Sequence, residues 1–294
     1  MDLSVAVVNW NSGAYLDRLL DSLAPLSHEL SRVIVVDNAS SDGSVANRRA
    51  DVFYRLLDRN HGFAGAANLA IEQSCSEFVL LLNPDIQVLP ETVRRLYQRM
   101  EGQPKTAIAC PLLAGEGGVA QHDFQFRPLP GFWSAFVDAL FLDEVPKRLR
   151  GWLATRSAAR GDHVISMRVE RRASGPTDED GVGVEQPAAA FWLLRKAAWK
   201  EIGGFDESFA PAWFEDVDFC KRLGARGWNI RCFPDVQAIH RGGLALETLP
   251  YSSFIRTYYG NMLRYFRKHH PARYMLLWLP VKAGVWARLA LKLR

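Results

Sequence analysis

The chain has 294 residues, 48% hydrophobic and 23% charged, which is enough to bury a substantial core and unlike a disordered segment. Its four cysteines, Cys75, Cys110, Cys220 and Cys232, are widely separated and show no CxxC or Cys/His spacing, so a disulfide framework and a structural zinc site are excluded and a reducing compartment is expected. The net charge of +4 is uneven: after Glu247 no acid follows while nine Lys or Arg do, leaving −5 for the rest, so an anionic partner is expected for the tail alone.

The opening "MDLSVAVVNW" carries an acid where a signal peptide carries basic residues, and its apolar run is too short for one, so it reads as a first strand. Helical patterning over 13–24 follows, then a strand "RVIVVDN", a turn-rich "ASSDGS", a strand "DVFYRLLD", a helix over 63–74, a strand "FVLLLN", a helix over 90–101 and a strand "TAIACPLL". Runs of Val, Ile and Leu separated by helix-length segments predict βαβ units and a parallel sheet covered on both faces, so residues 1–113 form an α/β half.

Residues 114–185 break this rhythm with Gly-rich turns, an aromatic "FQFRPLPGFWSAFVDALFL", a basic helix-like piece from Lys147 to Arg160, and a polar "RRASGPTDEDGVGVEQP" expected to be mobile. They read as an insertion or acceptor loops. Regular patterning resumes over 186–247 with a strand in "AAAFWLLR", a short helix, the turn "GGFDESF", a helix from about Phe214 to Arg226, and two short strands around "NIRCF" and "VQAIH". One domain over 1–247 and a basic helical tail over 248–294 are therefore expected.

In the tail, residues 254–268 sort into two faces at about 100° per residue. Phe254, Ile255, Tyr258, Tyr259, Met262, Leu263, Tyr265 and Phe266 share one half, and Arg256, Arg264, Arg267 and Lys268 the other. The later "MLLWLPV" is far short of the roughly 20 apolar residues a span requires. The tail either lies on an anionic membrane surface or packs its aromatic face on the domain and leaves its arginines solvated.

Ligands of open α/β sheets collect at the carboxyl ends of the strands. Asn9 and Asn11 follow the first strand, Asp37 and Asn38 the second, Asn83 and Asp85 the fourth. Asp37 either accepts from a ligand N–H, such as N3–H of a pyrimidine, or belongs to a turn and helix cap. Asp85 is a hard oxygen ligand suited to Mg²⁺ or Mn²⁺, or Asn83-Pro84-Asp85 simply ends the strand. "RNHGFAGAAN" brings Asn60, Gly62 and Asn68, with glycines that allow close backbone approach to a ligand or to a packing partner; it is not the GxGxxG fingerprint. "FEDVDFCKRL" places Glu215, Asp216 and Asp218 in the first turns of a helix, where acids oppose the macrodipole. Trp213, Phe214 and Phe219 around them would raise a carboxylate's pKa or shape a sugar platform. His240 stands at a strand tip beside "RGG".

In order and spacing, "VAVVNWN", "VIVVDNASSDGS", "RNHGFAGAAN", "LLLNPD", "GGFDESFAPAWFEDVDFCKRLGARGW" and "IHRGG" resemble the inverting family 2 glycosyltransferases, most of all the rhamnosyltransferase-type enzymes of bacterial cell-wall and polysaccharide assembly. The resemblance covers about 3–113 and 187–270. It implies an α/β fold of the GT-A nucleotide-diphospho-sugar transferase type, a Rossmann-like, mainly parallel mixed sheet with helices on both faces, followed by the amphipathic tail.

By the same resemblance Asp37 would hold the nucleotide base and Asn68 would lie near the ribose or diphosphate. Asn9, Asn11, Asn38, Asn60, Gly62, Asn83 and Asp85 would complete the donor site. Asp85 would bind Mg²⁺ or Mn²⁺ as the surviving acid of a DxD motif whose first position is here Asn83, with His240 as a further contact. Asp216 would be the general base, and Trp213, Glu215 and Asp218 would contact the acceptor. Ala189-Ala190 stands where the family often has Gly-Ala, slightly narrowing the acceptor pocket.

The implied reaction moves a sugar, L-rhamnose from dTDP-rhamnose, to a polyprenyl-diphosphate-linked or glycan acceptor, in the cytoplasm at the inner face of the membrane. Transfer from another UDP- or dTDP-hexose is the alternative. A silent sugar-nucleotide-binding module is disfavoured by intact Asp85 and Asp216, and no nucleic-acid motif accompanies the basic tail.

Overall fold

The computed structural model describes residues 1–140, 180–242 and 250–291; the basic piece at Lys147 to Arg160 and the polar stretch before 180 lie outside them. The first half runs β1 (Leu3–Asn9), α1 (Tyr15–Leu23), β2 (Arg32–Asp37), β3 (Val52–Leu56), α2 (Gly62–Glu72), β4 (Phe78–Leu82), β5 (Ile86–Gln87), α3 (Pro90–Glu101) and β6 (Thr106–Ala114). Then come α4 (His122–Gln125), β7 (Phe126–Arg127), α5 (Phe132–Ala139), β8 (Val182–Gly183), β9 (Gln186–Pro187), β10 (Phe191–Arg195), α6 (Lys196–Glu201), α7 (Glu215–Ala225), β11 (Asn229–His240), α8 (Tyr251–His269) and α9 (Pro271–Leu291).

Eight strands line up as β3-β2-β1-β4-β10-β6-β11-β5, with β8 added on β11. The pairs β3/β2, β2/β1, β1/β4 and β6/β11 are parallel, while β10 runs antiparallel between β4 and β6. This is the mainly parallel mixed sheet of the GT-A expectation.

Side-chain alternation sends each strand's apolar residues to both faces. Ala6, Val79 and Leu81 meet the small-residue face of α2, whereas Val5, Val7, Leu80 and Leu82 meet Leu16, Leu19 and Leu20 of α1 and Leu96 and Met100 of α3. With both faces covered, β1 and β4 are buried throughout, which is why they read as unbroken apolar runs.

One expectation changes form. The two short strands at "NIRCF" and "VQAIH" are a single β11, whose register on β6 shifts between Phe233 and Gln237. Pro234 lies in that shift, and Asp235 beside it bonds Arg95 and Arg99 of α3, with Arg99 Nη1 at 2.7 Å from Oδ1. A proline cannot donate to the ladder, so the strand bulges past it rather than ending.

The tail packs on the domain. Ile255, Tyr259, Met262, Leu263, Tyr265 and Phe266 are buried with Phe209, Phe214, Ala135, Ala139, Leu277 and Val281, so the aromatic face of α8 is covered by protein. Two polar anchors fix it. Asn261 Nδ2 donates to the carbonyls of Phe209 (2.6 Å), Ala212 (2.9 Å) and Trp213 (3.1 Å). Asp218 of α7, fully buried, lies 2.7 Å from Arg222 Nε, 2.8 Å from Lys268 Nζ and 2.7 Å from His269 Nε2.

Removing one partner of a buried ion cluster leaves the remaining charges uncompensated. Asp218→Asn is therefore expected to lower unfolding stability by about 3 kcal/mol, the scale for breaking a buried pair. Urea unfolding checks this; an unchanged midpoint would show that the tail is held by its aromatic face alone.

Candidate active site

The parallel pairing of β1 with β2 brings Asn9 level with Asp37 at one edge of the sheet. Asn9 Nδ2 donates to Asp37 Oδ1 at 2.7 Å, and Asn9 Oδ1 accepts from the Ser12 hydroxyl. Asp37 Oδ1 also accepts from the Ser40 hydroxyl at 2.6 Å, and Oδ2 from the Ser40 backbone N–H at 3.1 Å. The carboxylate thus closes its own turn, as the simpler reading had it, and keeps one lone-pair direction on Oδ2 for a further donor.

Asn11, in the left-handed region at φ 47°, accepts from Ser41 N at 2.8 Å, and its own N–H donates to the Ser40 hydroxyl at 2.9 Å. Asn38 accepts from His61 N (2.8 Å) and donates to Asn60 Oδ1 (2.9 Å) and Gly62 O (3.0 Å). These residues form one hydrogen-bonded rim.

Two donor-site expectations acquire a structural cause instead. Gly62 has φ 76°, and a Cβ there would meet Ala210 Cβ and the Pro211 carbonyl at 2.9 Å, so glycine is required by the loop packed on it. Asn68 donates to Phe205 O (2.9 Å) and Glu207 Oε1 (3.0 Å) while its oxygen accepts from Phe205 N (2.8 Å) and Trp199 Nε1 (3.2 Å). Both amide hydrogens and both lone pairs are engaged, which leaves nothing for a ribose or diphosphate. Asn68 clips α2 to the 205–207 turn.

The tip of β4 shows the third group. Asn83 is half-buried and its side chain makes no hydrogen bond among the described residues, while Asp85 is buried. β5 pairs with the end of β11 so that His240 lies opposite Ile86, and this sets His240 Nε2 3.3 Å from Asp85 Oδ2.

Gln121 decides the histidine tautomer. Its Nε2 donates to His240 O at 2.9 Å, so its Oε1 accepts from Nδ1–H at 2.7 Å and Nε2 is the ring nitrogen turned toward Asp85. Phe124 stacks on the imidazole with centroids 4.7 Å apart. An imidazole lone pair and a carboxylate oxygen turned toward one point suit a divalent cation. Among the described residues no group of three His, Cys, Asp or Glu could hold a metal, so Asp85 and His240 are the two side chains that could hold one here.

The carboxylates of α7 separate into three roles. Trp213 and Phe214 precede the helix at φ 70° and 74°, a left-handed pair of bulky residues that is strained and is held by Asn261. The strained entry turns Glu215 inward, where Oε2 has no partner; burial first and the charge of Asp216 second push its pKa well above the usual glutamate range. Asp216 is half-buried, and burial raises its pKa as well. Its carboxylate is favoured by the Val217 N–H at 2.8 Å, by Gln186 Nε2 at 2.9 Å and by the positive charge of Arg127. Of the pair, Glu215 holds its proton the more tightly and Asp216 gives its proton up the more readily.

Asp218, expected at the acceptor, points the other way into the basic cluster of α8, since two residues' difference from Asp216 on a helix is about 200°. Trp213 packs edge-on against Phe254 at 4.9 Å and remains half-buried. Gln121, Gln186 and Arg127 had no signal in the sequence: each lies on or beside an element of two to four residues, too short to show a period, and in no motif.

Residues 4–136 match the model of the family described as Glycosyl transferase family 2. The chain is a glycosyltransferase that carries a family 2 domain over these residues. In sequence this glycosyltransferase is 25% identical over 255 residues to the N-acetylglucosaminyl-diphospho-decaprenol L-rhamnosyltransferase of Mycobacterium tuberculosis, covering 81% of this chain and 75% of that one. It is 22% identical over 248 residues to the rhamnosyltransferase WbbL of Escherichia coli, covering 80% and 82%.

Its fold is similar to that of the Pyrobaculum calidifontis mannosyltransferase solved with GDP-Man and Mn²⁺, with a TM-score of 0.56 at 15% identity over 98% of this chain and 75% of that one. S. aureus TarS 1-349 with UDP-GlcNAc gives 0.56 at 20% identity, over 90% of this chain and 65% of that one.

A carboxyl whose pKa rises on folding binds its proton in the folded chain where the unfolded chain has lost it, so stability falls as pH climbs from the ordinary value toward the raised one. For Glu215 that fall begins near pH 4.5. Glu215→Gln removes it, and the variant's melting temperature is expected to gain on wild type as pH rises from there to neutrality. Thermal unfolding across this range checks the sign; a difference independent of pH would mean Glu215 ionises normally.

Proposed function

We propose that the glycosyltransferase inverts the anomeric centre as it moves L-rhamnose from dTDP-rhamnose to a polyprenyl-diphosphate-linked or glycan acceptor in cell-wall or surface-glycan assembly. The observation that carries the reading is the division of labour between two carboxylates: Asp85 facing His240 at the strand tips, and Asp216 as the ionising member of the pair on α7. The rhamnosyl assignment is supported by the two relatives named for that activity. Transfer from another UDP- or dTDP-hexose is the second reading, favoured by Asp37, whose remaining lone pair would serve the N3–H that uracil and thymine share.

In this mechanism Asp85 and His240 are the residues that would hold Mg²⁺ or Mn²⁺, which would supply positive charge against the departing diphosphate. Asp37 accepts from the base. Asp216 accepts the proton of the acceptor hydroxyl as that oxygen attacks the anomeric carbon, and its raised pKa strengthens it as a base. One base suffices because no glycosyl-enzyme bond forms. Protonated Glu215 leaves the neighbouring charge on Asp216 alone.

The enzyme contacts the membrane peripherally, at the inner face of the cell membrane, through α9 rather than the aromatic face of α8. No helix among the described residues is long and apolar enough to cross a bilayer. At about 100° per residue, Met275, Leu276, Leu279, Ala283 and Trp286 form one outward stripe, with Met275 and Trp286 each 73% exposed. Exposed Arg273 and Lys282 flank it, and the tail's lack of acids suits an anionic surface.

Asp216→Asn is expected to lower kcat by 10²-fold or more, the scale of general-base loss, while dTDP binding is kept. Asp85→Ala is expected to remove the metal dependence of nucleotide affinity; calorimetry with Mn²⁺ and with EDTA checks this. Near wild-type turnover in Asp216→Asn would assign the base elsewhere. A thermal-shift screen of dTDP- and UDP-sugars separates the two donor readings.

For the membrane, the enzyme is expected to float with anionic vesicles, and Leu279→Ser with Trp286→Ser to remain in the dense fraction. Equal flotation of both would remove α9 from the contact.

A further inference from the structure

Arg127 on β7 lies directly opposite Gln186 on β9. Residues paired across an antiparallel ladder project to the same face, and Gln186 uses that face to hold Asp216 Oδ2 at 2.9 Å. The guanidinium is exposed and makes no hydrogen bond or ion pair with any described residue. It is nevertheless close enough to Asp216 for its charge to favour the carboxylate. A cation that feels the base without pairing with it borders a gap.

Tyr258 of α8 borders the same gap. Its ring packs on Phe214, the residue before Glu215, with centroids 5.3 Å apart, and its hydroxyl has no hydrogen bond among the described residues. Burial and the charge of Asp138 push its pKa up to about 12, with Arg127 pulling down and Asp216 pushing up. The phenol therefore stays a hydrogen-bond donor at neutral pH. Two donors, one charged, thus stand near the base.

We propose that Arg127, with the Tyr258 hydroxyl, forms the subsite for the acceptor's diphosphate, one sugar ring removed from the hydroxyl that Asp216 deprotonates. The proposal rests on the diphosphate-linked acceptor of the preceding section. A guanidinium matches two phosphate oxygens at once, and a sugar held between Arg127 and Asp216 has its anionic end fixed while its free hydroxyl meets the base. The donor's diphosphate occupies a separate place at the strand tips. Lipid-linked acceptors would be chosen over neutral glycosides because only they fill this subsite.

The test has a binding arm and a kinetic arm on the full chain. In EDTA, where metal-dependent nucleotide binding does not compete, geranyl diphosphate is titrated calorimetrically into wild type, Arg127→Ala, Arg127→Lys and Asp85→Ala. A loss of about tenfold in Arg127→Ala, the scale of a charged hydrogen bond, is expected, with substantial recovery in Arg127→Lys and no change in Asp85→Ala. Equal affinity in wild type and Arg127→Ala, or no binding to wild type, overturns the subsite.

In the kinetic arm, KM for an N-acetylglucosaminyl-diphospho-lipid is expected to rise about tenfold in Arg127→Ala while KM for octyl N-acetylglucosaminide is unchanged. An equal loss with both acceptors would make Arg127 a tuner of Asp216 and also overturn it. Wild type that binds geranyl diphosphate through Arg127 yet glycosylates neither acceptor would sink the acceptor sugar and leave the subsite standing.

Discussion

The carboxylate of Asp218 is the point on which the catalytic half turns. It is fully buried, and three basic side chains converge on it, Arg222 from its own helix and Lys268 and His269 from α8. A buried charge is tolerable only with close partners, so α7 and α8 are held in one relative position. From that position Asn261 reaches three carbonyls of the 209–213 loop and holds Trp213 and Phe214 at their left-handed dihedrals. The strained entry in turn decides that Glu215 faces inward and Asp216 faces the site. The tail is thus part of the active-site architecture.

At the other end of the site the same logic operates through strand pairing. β5 is only two residues long, yet its pairing with β11 is what sets Asp85 against His240, residues 155 positions apart. Gln121 then fixes the imidazole by two hydrogen bonds, to the ring and to the backbone carbonyl of the same residue. An imidazole held in this way presents one nitrogen in one direction, and the orientation comes from chain outside the strand tips of the first half.

Burial gives the carboxylates their different chemistry. Glu215, Asp216 and Asp218 lie within about one turn of helix, with identical or nearly identical side chains. Asp218 meets basic side chains, Glu215 meets none and burial raises its pKa, and Asp216 has a half-open position with an amide, a backbone N–H and the field of Arg127. Local sequence placed all three as helix-start acids, since opposition to the macrodipole is common to them. Their orientation around the helix, and what each meets there, separates them.

The strands and helices of the first half were legible because hydrophobic period and turn residues are local properties: α3 and β4 stand where the patterning puts them, and the acids and amides at the ends of β1, β2 and β4 follow from strand direction alone. The motifs likewise carried the resemblance to family 2 glycosyltransferases. What the chain does not encode locally is contact across distance. That Asn68 is a clip, that Gly62 accommodates the Pro211 loop, that Asp218 serves the tail, and that β11 continues through Pro234 all depend on partners far away in sequence. The amphipathic face of α8 was visible as a face, but amphipathicity states only that an apolar surface must be covered. Tertiary packing decided that protein covers it and that the outward stripe of α9 is the one left exposed.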